Sequence, residues 1–379
     1  MQRNRRSLLW VFIATVPLAF AQDAETGITV PTTLSGAFMK SDDPYFSYHA
    51  AAYPALRLDD HWYVYSAVDF YSTPFFYYPE YNDSREWAEV QLDQLFVART
   101  WKGETSGWVV KAGKLQTAFG APQRAYDDMQ NPLLDQPLSL TSPLPLYTAL
   151  SACPTGLCFN YNPDYNPWAP ITLYGVWGAE FSGWWKQFDA RLQLTNSSVA
   201  NPLPLTSGNQ HAQWTAGAGV AVAPGWRVGV SGFRGAWLDG GIASAAPPAT
   251  GLGVDTEWAR GRWKVRAEWQ RLEFPYPAAF QTVVPTASFA DAETKLIISP
   301  RWYAAVRIGY QRASGWGSAS DYAPNLARYE AAVGFRPNRF QLIKVGYEWN
   351  RPGQRDAEID NVLGVELVTS LPVFTRALR

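Results

Sequence analysis

Three histidines, His49, His61 and His211, are the side chains of this 379-residue sequence whose ordinary pKa suits proton transfer near neutral pH. Any of them could act as a general base on a serine with a carboxylate behind it, but no spacing among them marks a Ser-His-Asp set. The His-Glu-x-x-His pattern of a zinc helix and the glycine pattern of a phosphate loop are both missing from the sequence. The two cysteines lie in Cys153-Pro154-Thr155-Gly156-Leu157-Cys158. That is not the Cys-x-x-Cys spacing of redox centres, and no nearby histidine completes a metal site. These residues point to no enzyme, no metal and no cofactor.

The chain begins with a different kind of signal. Arg3, Arg5 and Arg6 form a basic stretch, Leu8 to Leu18 an apolar one, and Ala19-Phe20-Ala21 a small-residue cleavage site. Together they predict a signal peptide over residues 1–21 and a single mature domain over 22–379. Export permits a disulfide between Cys153 and Cys158, with Pro154-Thr155-Gly156 turning the chain between them. The formal net charge is -1, which gives no reason to expect a nucleic-acid partner.

Composition narrows the class further. The chain carries 18 Trp, 20 Tyr and 19 Phe, and after residue 21 no apolar run is long enough for a helical membrane span. A β-barrel that faces lipid with alternate residues and wears aromatic girdles would use this many rings.

The elements that must position any site are strands. In Arg262 to Leu272, Trp263, Val265, Ala267 and Trp269 alternate with Lys264, Arg266, Glu268 and Gln270, so the two sets point to opposite faces. Phe188, Ala190, Leu192 and Leu194 alternate likewise with Asp189, Arg191, Gln193 and Thr195, and Ile343, Val345, Tyr347 and Trp349 with Lys344, Gly346, Glu348 and Asn350. The pattern also shows in Glu89, Gln91 and Asp93 against Val90 and Leu92. Sixteen strands are predicted: 31–39, 47–58, 60–70, 87–101, 105–117, 170–180, 185–195, 212–222, 225–236, 251–260, 262–273, 290–299, 301–312, 326–336, 339–350 and 359–370. Long links (71–86, 118–169, 196–211, 237–250, 274–289, 313–325) alternate with short ones such as Gly261 and Pro300. That asymmetry predicts an all-β, closed antiparallel transmembrane barrel with long external loops and both termini periplasmic.

By the strand count, with 40–46 as the first and 71–86 as the second, the link 118–169 is the third external loop, and it carries both cysteines. Before it, Lys111-Ala112-Gly113-Lys114-Leu115-Gln116-Thr117-Ala118-Phe119-Gly120 resembles the strand-to-loop segment of the Gram-negative outer-membrane porins. The resemblance covers the hairpin pattern of nearly the whole mature chain, and implies a third loop folded into the barrel to narrow it. It implies Asp127, Asp128, Asp135 and Asp164 as loop-side charges of that constriction. It implies Arg191, Arg227, Arg262, Lys264, Arg266 and Arg307 as wall-side charges, the two sets orienting polar solutes between them. A homotrimer in the outer membrane of a Gram-negative bacterium is implied as well. One departure is visible: the terminal aromatic of such proteins is displaced here, Phe374 being followed by five more residues.

The expected function is passive passage of small hydrophilic solutes through a barrel in outer-membrane lipid. The alternatives are a channel selective for sugars or organic anions, with Phe75, Phe76, Tyr77 and Tyr78 in its vestibule, and a closed structural or adhesive barrel.

Overall fold

The computed structural model describes residues 26–41, 44–72, 88–121, 127–141, 150–153, 156–159, 176–196, 212–237, 247–277, 284–315, 325–353 and 361–377. The expected signal peptide lies outside them.

The wall is one antiparallel sheet. Its first half contains β1 (Gly27–Lys40), β2 (Pro44–Ala52), β3 (Ala55–Arg57), β4 (Trp62–Ser72), β5 (Ala88–Lys102) and β6 (Ser106–Leu115). A small separate hairpin, β7 (Leu150–Cys153) and β8 (Gly156–Phe159), follows. The wall resumes with β9 (Val176–Trp185), β10 (Phe188–Thr195), β11 (Gln213–Ala223), β12 (Trp226–Gly235), β13 (Ala249–Arg260) and β14 (Trp263–Glu273). It ends with β15 (Thr286–Ile297), β16 (Trp302–Ser314), β17 (Asn325–Asn338), β18 (Gln341–Pro352) and β19 (Val362–Ala377).

Tyr53-Pro54 interrupts one strand between β2 and β3, because proline has no N–H to give the ladder. Both pieces pair with β1 and β4, so the wall has sixteen strands, as predicted. The last strand pairs with the first from Gly27↔Ala377 to Lys40↔Leu363, which closes the barrel. Closure leaves no open edge, a requirement where no water is present to satisfy the backbone.

Burial follows the predicted alternation. Along β16, Trp302, Val306, Ile308 and Tyr310 are exposed on the outside, whereas Tyr303, Ala305, Arg307 and Gln311 are buried inside. An exposed aromatic sits beside nearly every short turn: Trp62, Trp101, Trp185, Trp226, Trp263 and Trp302. These rings form a girdle at that end of the barrel. Phe38, Phe46, Phe70 and Trp214 are exposed near the opposite end.

Four expectations change in detail. The strand predicted over 170–180 is paired over Val176–Trp185, because Trp184 and Trp185 bond opposite Gly107 and Ser106 before the turn at Lys186, whose φ is 54°. In β5 the alternation changes phase: Ala67 faces Gln94 and Val68 faces Leu92, so Asp93 is an extra residue. This bulge lets Asp93 and then Phe96, Ala98 and Thr100 all face inward. The first link at the long-loop end spans only Ser41 to Asp43. Finally, β19 runs past the predicted end at 370 to Ala377, so Phe374 lies within it, opposite Val30.

Candidate functional site

The segment after β6 turns into the barrel. Phe119 is buried against Phe233 with ring centroids 4.9 Å apart, edge to face. Gly120 has φ 86°, a conformation that glycine takes without strain, and its N–H bonds Ser231 Oγ at 2.9 Å. The Arg191 guanidinium donates to the Gly120 carbonyl. The Gln193 amide spans Gln116 O at 2.8 Å and Ala118 N at 3.1 Å, and Ala121 N donates to Glu268 at 2.9 Å. The segment Lys111–Gly120 is thus a strand end followed by a turn pinned to β10, β12 and β14.

Residues 127–141 are seated on the opposite side of the lumen. Ser35 Oγ donates to Asp128 Oδ2 at 2.5 Å, and His49 Nδ1 lies 2.8 Å from the same oxygen. His49 Nε2 is 3.4 Å from Asp69. Lys344, wholly buried, ion-pairs with Glu366 at 2.6 Å and donates to the carbonyls of Asp128 at 3.0 Å and Leu133 at 3.1 Å. Tyr303 Oη donates to Pro132 O at 3.1 Å. The Asp135 carboxylate takes Arg328 at 2.6 Å, and Arg307 donates to the Asp135 carbonyl at 3.1 Å. Leu133 packs with Tyr303, Ala305, Leu342 and Val368. Burial favours a neutral Asp128, but the His49 hydrogen bond and the charges of His49 and Lys344 outweigh it and hold the carboxyl below its ordinary pKa.

Between this segment and the β12–β16 wall lies an open cavity. Its loop side is uncharged: Ala121, Asn131, Pro132, Gln136, Pro137 and Leu140. Its wall side is charged and ordered by strand register. Across neighbouring strands, Arg227 faces Glu257, Glu257 faces Arg266, Arg266 faces Glu293, and Glu293 faces Arg307, which faces Glu330. This alternating belt is closed by contacts, Arg266 reaching Glu257 at 2.9 Å and Arg307 reaching both Glu293 and Glu330 at 3.0 Å. Arg227 lies over Gly219 and Gly229, where any side chain would meet its guanidinium, and pairs with Asp189 at 2.7 Å and with Asp255.

The residues expected to carry the constriction are therefore distributed. Arg227, Arg266 and Arg307 line the cavity. Lys264 sits one row nearer the short turns, 3.2 Å from Glu257, and Arg191 holds Gly120. Arg262 belongs to the exposed Gly261-Arg262 turn and lies away from the loop. On the loop side, the Asp128 and Asp135 carboxylates anchor the segment to the far wall; Asp127 Oδ1 accepts from Met129 N at 2.7 Å, and Thr33 Oγ1 lies 3.4 Å from its other oxygen. Asp164 and His211 lie outside the described residues, as does the aromatic stretch 75–78. Sequence reasoning did not single out Arg328, Lys344 or Glu330. Each occupies an inward position in a strand's alternation, which is the only signal it left.

His49 lies between two carboxylates, hydrogen-bonded to Asp128 and within ion-pair distance of Asp69, and Ser35 bonds Asp128 rather than His49. His61 lies beside a short turn, with Nδ1 3.2 Å from Thr100 O. In the β7–β8 hairpin Cys153 faces Gly156 and Cys158 faces Ser151, so the two cysteines are diagonal rather than opposite. Diagonal partners stand about 7–8 Å apart, wider than a disulfide usually spans, so this register does not support the expected bridge. The cysteine side chains lie outside the described ones.

No protein-family model matches the chain. No curated protein matches it either. Solved structures do. OprB of Pseudomonas putida superposes with a TM-score of 0.57 at 12% identity, over 91% of this chain and 94% of that one. OmpF of Salmonella typhi, solved in complex with daunomycin, gives 0.56 at 9% identity over 91% and 97%. OmpT of Vibrio cholerae, in a trimer form, gives 0.52 at 11% identity over 92% and 100%. The chain has the sixteen-stranded barrel fold of bacterial outer-membrane porins.

Proposed function

We propose that the protein is a passive channel for small hydrophilic solutes in the outer membrane of a Gram-negative bacterium, without catalysis or cofactor. The observation that carries this reading is the cavity between the seated segment and the charged β12–β16 wall, inside a barrel whose outer face is apolar. A solute passing there exchanges part of its hydration for wall carboxylates, guanidinium groups and loop carbonyls, and residues 116–121 and 127–141 set the size limit. Gly27 and Ala377 pair at the short-turn end, which supports periplasmic termini, since long loops face outward in such barrels. Relatives in fold include a trimer form, and a homotrimer is the assembly we assign.

Purified protein in a planar bilayer tests the reading. Discrete steps of conductance are expected. Correctly folded protein that inserts and passes no current would instead be a closed structural barrel. Liposome swelling with neutral sugars measures the size limit in the same preparation.

A further inference from the structure

We propose that the gap prefers cationic to anionic solutes, and that Glu268 and Asp291 determine this preference; the inference rests on the channel reading above. Three observations converge on it.

The first is how the positive charge on the wall is used. Arg227 is clamped between Asp189 and Asp255, Arg266 is held by Glu257, and Arg307 by Glu293 and Glu330. An anion entering the gap meets guanidinium groups already matched by carboxylates. The charge-alternating belt is locally balanced and favours neither sign.

The second lies one row nearer the loops. There the register runs Gly229, Asp255, Glu268, Asp291, Gly309, three carboxylates on adjacent strands with glycine on either side. All three line the cavity. Like charges placed directly across strands destabilise a sheet. Arg227 offsets Asp255, but Glu268 and Asp291 still stand directly opposite each other, a cost to the fold, and such violations of local stability rules concentrate at functional positions. The flanking glycine at 309 leaves room for the row: a Cβ there would stand 2.8 Å from Asp291 Oδ1 and 3.1 Å from Leu138.

The third is the opposite wall of the gap. The loop's own carboxylates at 128 and 135 are turned away to Ser35, His49 and Arg328, so the loop presents only uncharged residues to the row. The field across the gap is therefore set by the barrel wall, with five acidic residues against three basic ones among those lining it. A low-dielectric neutral face opposite the row focuses that negative potential into the path.

Reversal potentials of the full-length protein in a planar bilayer under a KCl gradient test this. The native channel is expected to pass K⁺ in preference to Cl⁻, more strongly at 0.1 M than at about 1 M salt, where the screening length falls from about 10 Å to about 3 Å. The double variant Glu268→Gln, Asp291→Asn is expected to lower the permeability ratio by about twofold or more, because charged side chains on a pore wall set its ion selectivity. Glu268→Gln keeps a side-chain oxygen able to accept from the Ala121 N–H, so the loop contact is expected to persist. Glu273→Gln, on the outward face of the same strand, is expected to leave the ratio unchanged. A native channel that prefers Cl⁻, or a double variant that conducts with an unaltered ratio, overturns the inference while the channel reading stands. Absence of conductance from folded native protein overturns both.

Discussion

Lys344 Nζ lies 3.0 Å from the backbone carbonyl of Asp128, although 216 residues separate them in sequence. The same ammonium reaches Leu133 O at 3.1 Å and Glu366 at 2.6 Å. One buried lysine therefore joins the barrel wall to the segment inside it. A charge so far from water is tolerated only because its carboxylate and carbonyl partners replace hydration.

Replacing Lys344 by methionine keeps most of the side chain's volume and removes the charge. Glu366 is then left buried without its counter-charge, an arrangement that costs about 3–5 kcal/mol. Thermal unfolding monitored by circular dichroism should show the loss, and adding Glu366→Gln should recover a large part of it. Equal stability of the single and double variants would mean that the pair does not anchor the segment.

Arg328 makes the second anchor. It reaches Asp135 at 2.6 Å, Thr141 Oγ1 at 3.1 Å and Asn350 Oδ1 at 2.9 Å. Lysine carries the charge but not the fork, so Arg328→Lys should keep one of these contacts and lose the others. The expected result is a folded channel with noisier open-state current, since the segment beside the gap is held at fewer points. Current as quiet as the native channel's would show that Lys344 and Tyr303 suffice.

The barrel was more legible in the sequence than the site was, and the reason is physical. Strand alternation is local: Trp263 and Lys264 betray opposite faces because neighbouring residues in a strand must point apart. The phase change at Asp93 was visible only as a broken pattern, because a bulge is defined by its partner strand. The wall belt needs register as well, which no single strand states. The anchors are harder still. Asp128 and Asp135 read as loop charges available to solutes, and only their distant partners His49, Lys344 and Arg328 show that they face the other way. The segment Lys111–Gly120 was the local sign of the inward turn, and the structure places Gly120 at that turn with a positive φ.

Asp128 supplies a pH test. It faces Ser35, His49 and Lys344, with Asp127 beside it, and its pKa is held below the ordinary carboxylate value. A lowered folded pKa means that the ionised group stabilises the fold above the unfolded value and loses that contribution as pH falls through the folded one. Asp128→Asn should therefore be less stable than the native protein by a constant amount from neutral pH down to about pH 5, with the difference closing below about pH 4. Melting temperatures measured across that range check the sign. A gap that widens on acidification would contradict the assigned state of the carboxylate.

The outward face of β16 tests where the membrane lies. Val306 is 50% exposed, near the middle of the strand, and Ser314 is exposed on the same face at its long-loop end. Arginine facing hydrocarbon costs about 2–4 kcal/mol at the bilayer midplane and about 0–1 kcal/mol near the interface. Val306→Arg should thus destabilise the barrel far more than Ser314→Arg when both are unfolded by urea from lipid vesicles. In detergent the difference should shrink, because a micelle deforms around the charge. Small and equal costs at the two positions in vesicles would mean that this face does not meet lipid, and would pull down the membrane placement from which the channel reading starts.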